Sequence, residues 1–307
     1  MAMSQVKVSV IVPFYGVEPY IGRCAESLLR QTAWQDCEFI FVDDGCKDGS
    51  LSVLQGVLAR YPERRVQVIR KENGGLPQAR LTGLKAASGI YVLHVDSDDW
   101  LEENMVEELL KAIEGAQADV AYCYAYHEYE DGHRKEKKVC AYADCQAYAD
   151  AFMRFHAGAY VWNKLIRRSL FRQELFFPTI GMHEDMVLLA QVFLYAHTCV
   201  RVPLPLYHYR RDRRSSISNV QKAERDAASA RNFLQLIAYW RGRKSPIDRF
   251  LPYLYAYCGW KAICFSPSIF GEFPFLREEV MQVPGSAMPS LKYRYRLFKV
   301  KRWLKKH

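Results

Sequence analysis

Three carboxylates stand within four residues at Asp96-Ser97-Asp98-Asp99. Like charges so close repel one another unless a cation or hydrogen-bond donors offset them. Clustered carboxylate oxygens suit a hard divalent cation such as Mg²⁺ or Mn²⁺, often shared with substrate phosphates. The plain alternative is a solvated helix N-terminus, where aspartate is favoured on its own account. The run follows Ile90 to Val95 (IYVLHV), which reads as a buried strand, and that position favours a site.

Other groups could serve the same rim. Asp43 and Asp44 close the apolar segment EFIFVDD. Carboxylates there can accept hydrogen bonds from a base or ribose, although Asp-Gly is also a turn former. Asn73-Gly74-Gly75 precedes a helix carrying Arg80; the glycines permit close backbone approach to a ligand, or simply lead into the helix. Glu184-Asp185 follow His183 ahead of the apolar run MVLLAQVFLYAH. A carboxylate at a helix N-terminus is held ionised by the macrodipole, and a hydroxyl nucleophile needs a positioned base. Asp185 could be that base, or the acidic pair could merely cap a core helix. His208, Arg210, Arg211, Arg213 and Arg214 lie near Ser215 and Ser216. Guanidinium pairs phosphate well, but each of these arginines taken singly reads more plainly as a solvated loop residue.

The elements that must hold these residues alternate strand and helix through the first ~125 residues. Lys7 to Pro13, Glu38 to Asp44, Val66 to Arg70, Ile90 to Val95 and Asp119 to Tyr124 read as strands. Helices are expected over Val17 to Thr32, from Asp48 (a cap) to about Tyr61, Leu76 to about Ala87, and about Glu102 to Ile113. Repeated βαβ units imply a parallel sheet with helices on both faces, and ligands sit beyond the carboxyl ends of its strands. Here those ends carry Pro13-Phe14-Tyr15, Asp43-Asp44 and the Asp96 to Asp99 run. Further on, Glu130-Asp131-Gly132 reads as a hairpin turn, Asp144 to Phe155 and Glu184 to His197 as helices, and Leu206 to Arg210 as a strand. From ~220 to ~265 the pattern is helical with Pro246 and Pro252 as interruptions, and 266 to 290, rich in Pro, Gly and Ser, reads as a linker.

With 307 residues, half of them hydrophobic and a quarter charged, the chain has the composition of an ordinary globular protein. Nine scattered cysteines without a CxxC suggest reduced thiols in a cytosolic compartment. No signal peptide or membrane span is evident. The formal net charge of +9 is concentrated in the last stretch, LKYRYRLFKVKRWLKKH, with eight Lys or Arg and no acid. Its partner should be anionic.

Taken in order, SVIVPFYGVEPYI, VDDGCKDGS, NGGLPQARLTGLKAASG, LHVDSDDW, VWNKLIRRSLF, HEDMVLL and LYHYRRDRRSSIS resemble glycosyltransferase family 2, over residues ~6 to ~215. The resemblance implies a GT-A fold: an α/β, Rossmann-like, mostly parallel sheet flanked by helices. Residues 1–215 would form that domain and 216–307 a helical C-terminal region. It implies inverting transfer of a hexosyl or N-acetylhexosaminyl group from a UDP-sugar to an acceptor hydroxyl, in synthesis of a cell-surface polysaccharide or lipid-linked saccharide. By the same resemblance Pro13, Tyr15, Asp43, Asp44, Arg80 and Ser97 line the nucleotide sugar, with Asp96 at the ribose. Asp98 would bind Mn²⁺ or Mg²⁺ bridging the diphosphate. Arg210 and Ser216 would contact the diphosphate side, and Asp185 would be the base. Trp162, Lys164 and Glu184 belong to the acceptor side. Cys46 stands where the family usually has serine after Asp-Gly. The Gln-x-x-Arg-Trp motif of processive synthases is absent, only KVKRW appearing, so one sugar per encounter is expected.

In the basic tail Tyr293, Leu297, Val300 and Leu304 recur at helical spacing. That suits an amphipathic helix on an anionic membrane, each Lys or Arg contributing ~1 kcal/mol near the surface. The enzyme would then be peripheral at the inner face of the cell membrane. No nucleic-acid module accompanies the charge, so nucleic acid is not an expected partner. A pyrophosphorylase or an NAD-dependent dehydrogenase would want a Gly-rich phosphate loop after the first strand, which PFYGVEPY does not supply. The remaining rival is a sugar-nucleotide-binding module without catalysis.

Overall fold

The computed structural model describes residues 5–154, 156–171, 174–179, 183–211, 222–242, 246–288 and 290–307. The chain forms two compact units, one of Met1–Phe177 with Val192–Arg214, the other of Pro178–Gln191 with Ser215–His307. In chain order the first unit contains β1 (Val8–Phe14), α1 (Glu18–Leu29), β2 (Cys37–Asp43), α2 (Ser50–Leu58), β3 (Val66–Arg70), α3 (Leu76–Ala86) and β4 (Tyr91–His94). Then follow β5 (Trp100–Leu101), α4 (Met105–Gly115), β6 (Val120–Glu128), β7 (Arg134–Lys137), α5 (Cys145–Met153) and β8 (Lys164–Arg167). The helix α6 (Glu184–Tyr195) precedes the last strand, β9 (Cys199–Arg210).

The strands form one sheet in the order β3-β2-β1-β4-β8-β6-β9-β5, with β7 paired to β6. The first four strands are mutually parallel, with Phe14 opposite Asp43. β8 then runs antiparallel to both β4 and β6, and β9 runs parallel to β6. All seven residues of β1 are buried, the continuous apolar run a central strand covered on both faces requires. Val8, Val10 and Val12 pack with Ile21 and Leu28 of α1 and Leu109 of α4. Ile11, with Ile40 and Val42 of β2, meets Ala79 of α3 on the other face. The parallel half therefore aims its carboxyl ends at one rim, as βαβ units must.

Several boundaries differ from the sequence reading. The N-cap position of α2 is Gly49, not Asp48; Asp48 stands just ahead, accepting from the Ser50 amide at 3.2 Å and hydroxyl at 2.6 Å. The helix expected from Glu102 starts at Met105, because Trp100–Leu101 are taken up as β5, paired antiparallel with β9. β6 and β9 are both longer than expected, since each pairs along most of the other.

The second unit is helical: α7 (Lys222–Trp240), α8 (Leu251–Phe265), α9 (Ile269–Glu272), α10 (Phe275–Gln282) and α11 (Leu291–Leu304). Pro252 starts α8 in its first turn instead of interrupting it, a place where the missing N–H costs nothing. Likewise Pro274 is the N-cap residue of α10, so the stretch read as a linker carries helices at Ile269–Glu272 and Phe275–Gln282. A Cβ on Gly259 of α8 would come within 3.0 Å of Val300 and 3.1 Å of Val280. The glycine is thus what lets α8 approach α11 and α10.

The tail stripe chosen from the sequence is corrected by this packing. Leu297 and Val300 are buried within the second unit. Tyr293 packs edge-on to Tyr253 at 5.1 Å, and Trp303 stacks on Phe270 at 5.4 Å. Lys301 donates to the Met281 and Val283 carbonyls at the end of α10, at 2.8 and 2.7 Å. That face is spent inside the protein and is not available to a membrane. Among the described residues no helix is long and apolar enough to cross one. All nine cysteines are free.

Candidate active site

The carboxylates converge on the rim as the topology dictates. β2 ends at Asp43, whose Oδ1 accepts the Cys46 amide at 2.8 Å and whose Oδ2 faces Arg70 at 3.4 Å. Asp44, 3% exposed, accepts the Gly74 amide at 3.0 Å and the Gly75 amide at 2.8 Å, and pairs with Lys71 at 2.6 Å. The Asn-Gly-Gly loop is therefore clamped to the end of β2. Gly45 has φ +80°, and a Cβ there would meet the Asn73 amide nitrogen at 3.0 Å. Pro13 lies in β1, and Tyr15 just beyond it is 47% exposed.

From α3, Arg80 reaches under the rim, buried, and donates to Asp96 Oδ1 at 2.7 Å. Burial raises the Asp96 carboxyl pKa, Arg80 opposes that, and Asp98 adds to it, leaving it above its ordinary value. Beside this pair His94 is buried, edge-on to Phe171 at 5.9 Å. Burial and then Arg80 push its pKa well below the usual imidazole value, so it is neutral.

The Asp96 to Asp99 turn hangs between β4 and β9. The Tyr207 hydroxyl accepts the Asp96 amide at 3.2 Å and donates to Asp99 Oδ2 at 2.7 Å. Asp99 Oδ1 accepts the Arg210 amide at 2.8 Å. Burial, then Asp98 and Asp96, raises the Asp99 pKa well above its ordinary value. Arg210 also donates from Nε to the Asp98 carbonyl at 3.3 Å and lies 5.0 Å over Tyr20 and 5.2 Å over Trp100. Ser97 is buried within the turn.

The charge pattern fits a divalent cation. Asp99 is tied to β9 and Asp96 to Arg80, so the turn is not a closed cage of carboxylates. Among the described residues no cluster of three or more His, Cys, Asp or Glu that could hold a metal gathers by itself. One or two carboxylates plus substrate phosphates is the way Mg²⁺ and similar ions are usually held.

Of the acceptor-side residues read from the sequence, Trp162 and Lys164 lie in the first unit. Trp162 is buried and stacked on Tyr207 at 4.3 Å and Tyr160 at 4.8 Å. Lys164 is fully buried, donating to Tyr160 carbonyl at 2.5 Å and Asn163 Oδ1 at 2.8 Å. Trp162 backs Tyr207, while Lys164 is held within β8 by its own neighbours. Glu184 and Asp185 occupy the first turn of α6 within the second unit, where Asp185 Oδ1 accepts the Met186 amide at 2.8 Å. His183, just ahead, has φ +57°. Ser216, with Arg213, Arg214 and Ser215, lies outside the described residues.

His208 was named from the sequence, but its partners and the place of Arg23 were not legible in advance. His208 is set between two carboxylates, Glu128 at 2.7 Å and Glu102 at 3.0 Å, and stacks on Trp100 at 4.9 Å. It braces β5 against β9 instead of facing a phosphate. Arg23 of α1 lies 3.3 Å over the Trp100 ring. The alternation of LYHYR was the available signal for Tyr207, since period-two spacing puts Tyr207 and Tyr209 on one face.

Comparison with known proteins bears on this geometry. The family described as "Glycosyl transferase family 2" matches residues 9–182. An uncharacterized glycosyltransferase, EpsJ of Bacillus subtilis (strain 168), is 33% identical over 241 residues, 76% of this chain and 69% of that protein. Across four such relatives the chain spans from 32% to 78% of their own length. Among solved structures, S. aureus TarS 1-349 in complex with UDP-GlcNAc superposes with a TM-score of 0.70 at 18% identity, covering 98% of this chain and 90% of that one. The mannosyltransferase PcManGT from Pyrobaculum calidifontis, in complex with GDP-Man and Mn2+, gives 0.57 at 16% identity, covering 98% and 84%.

Proposed function

The chain belongs to glycosyltransferase family 2, and from that premise we propose that it is a metal-dependent inverting enzyme moving a sugar from UDP to an acceptor hydroxyl. The observation that carries the proposal is the carboxylate turn at the end of β4, with Asp96 paired to buried Arg80 and Asp99 held by β9. UDP-GlcNAc in the TarS structure and Mn2+ in the PcManGT structure support the donor and metal classes.

In this reading residues 1–215 are the catalytic domain and 216–307 a helical region. Tyr15, Asp43, Asp44 and the clamped glycine loop receive the base and ribose, with Pro13, Ser97 and Arg210 around the nucleotide. Asp98 would hold the cation, which when bound would supply Lewis-acid neutralisation of the diphosphate leaving group. Arg80 fixes the Asp96 carboxyl by its hydrogen bond to Oδ1, and Asp96 accepts from a ribose hydroxyl. Asp185 takes the proton of the attacking hydroxyl, with Glu184 beside it. The transition state is oxocarbenium-like, as in glycoside hydrolysis. The acceptor is a saccharide or lipid-linked saccharide met in the cytoplasm at the inner face of the membrane. A relative 28% identical over 203 residues, described as a cholesterol galactosyltransferase, supports a lipid-borne acceptor.

Calorimetric titration of UDP, with and without Mn²⁺, into wild type and Asp98→Asn tests the donor and metal together. Binding that needs both Mn²⁺ and Asp98 is expected. No binding to wild type in either condition overturns the UDP assignment and favours a module without catalysis.

A further inference from the structure

We propose that the outward face of α11 is a docking surface for an anionic lipid bilayer, the opposite face of the helix from the one the sequence suggested. Leu291, Tyr295 and Phe298 fall at i, i+4 and i+7, one stripe of the helix. They are 80%, 57% and 58% exposed. Exposed apolar residues scattered singly need no explanation, but a stripe does. The core does not account for this one, because α11 already buries Leu297 and Val300 on its other side.

The charges around the stripe identify what would cover it. At ~100° per residue, Arg302 continues the stripe, Arg294 and Lys305 border one edge, and Lys292, Lys299 and Lys306 border the other. Arg294, Arg302, Lys305 and Lys306 are exposed. Residues 291 to 307 contain eight Lys or Arg and no acid. An apolar strip with cations along both edges matches a headgroup layer: Leu, Tyr and Phe enter the acyl boundary while the Lys and Arg stems reach back to phosphate. A second copy of this chain is disfavoured, since it would bring the same cationic surface against itself. The proposal rests on the reading of an enzyme acting at a membrane, but vesicle binding is measured without donor or turnover, so the two can fail separately.

The test is co-sedimentation of the full chain with vesicles of phosphatidylcholine alone and of phosphatidylcholine mixed with phosphatidylglycerol. Wild type should sediment with the anionic vesicles, weakly with the neutral ones, and less as salt rises. Leu291→Ser combined with Tyr295→Ser and Phe298→Ser should cut the anionic partition at least ~10-fold, with the thermal melt unchanged. Arg302→Gln with Lys305→Gln and Lys306→Gln should do the same while keeping the apolar stripe. Equal sedimentation of wild type with both vesicle types, or anionic binding unaltered in the triple serine variant, overturns the proposal. So does a change in self-association as the sole effect of that variant in sedimentation velocity.

Discussion

The Tyr207 hydroxyl accepts the Asp96 amide and donates to the Asp99 carboxylate, spanning the acidic turn with one oxygen. The turn is thus held from β9, not only from β4. Tyr207→Phe leaves both partners buried without that oxygen, a loss of about 1–3 kcal/mol. Urea unfolding should show it, together with weaker Mn²⁺-dependent nucleotide binding. An unchanged unfolding midpoint would refute the brace.

Asp98 and Asp99 should separate by phenotype. Asp98→Asn should lose the metal dependence of UDP binding and cost less stability than the change at Asp99. Asp99→Asn should lower stability and retain a Mn²⁺ response, because Asp99 is occupied by Tyr207 and the Arg210 amide. Calorimetry and thermal melts on both variants check this.

Asp185→Asn should reduce transfer by at least ~100-fold, the usual contribution of a general base, and leave UDP affinity as in wild type. Near-normal transfer in this variant would remove Asp185 from the mechanism.

Acid should weaken the first unit through Asp119. Burial by itself would raise this carboxyl's pKa, but the His197 and Thr198 amides and Arg167 outweigh it and hold the pKa below its ordinary value. The contacts are 2.9, 3.2 and 3.3 Å. A lowered carboxylate pKa gives stability that is complete above the unfolded value, ~3.9, and is lost as pH falls through the folded one. Asp119→Asn should cost about 1–3 kcal/mol near neutrality and flatten the acid limb. Urea midpoints measured from neutrality down to pH ~3 would show whether it does.

The parallel half of the sheet was legible because β1 to β4 are apolar runs separated by helical stripes, and its terminal carboxylates came with it. The antiparallel half was not. β5 is two residues long and has no periodicity to read. β8 begins with a lysine, whose burial rests on partners such as the Tyr160 carbonyl, Asn163 and the Tyr148 ring. Within the site, the Asp96 run was visible locally. Its partners Tyr207 and Arg210 lie 111 positions away from Asp96 and Asp99 respectively, and local pattern does not encode such distances. The tail failed differently. Two apolar stripes share α11, and spacing alone could not say which one the core takes.

That double-sided helix also sets how the second unit would meet a surface. An isolated amphipathic peptide can roll until its greasy side faces down. Here Leu297, Val300 and the Lys301 contacts with the end of α10 fix the roll angle in advance. Adhesion through Leu291, Tyr295 and Phe298 would therefore act as a keyed mount rather than a leash, setting which way the helical unit points and not merely how near the bilayer it stays.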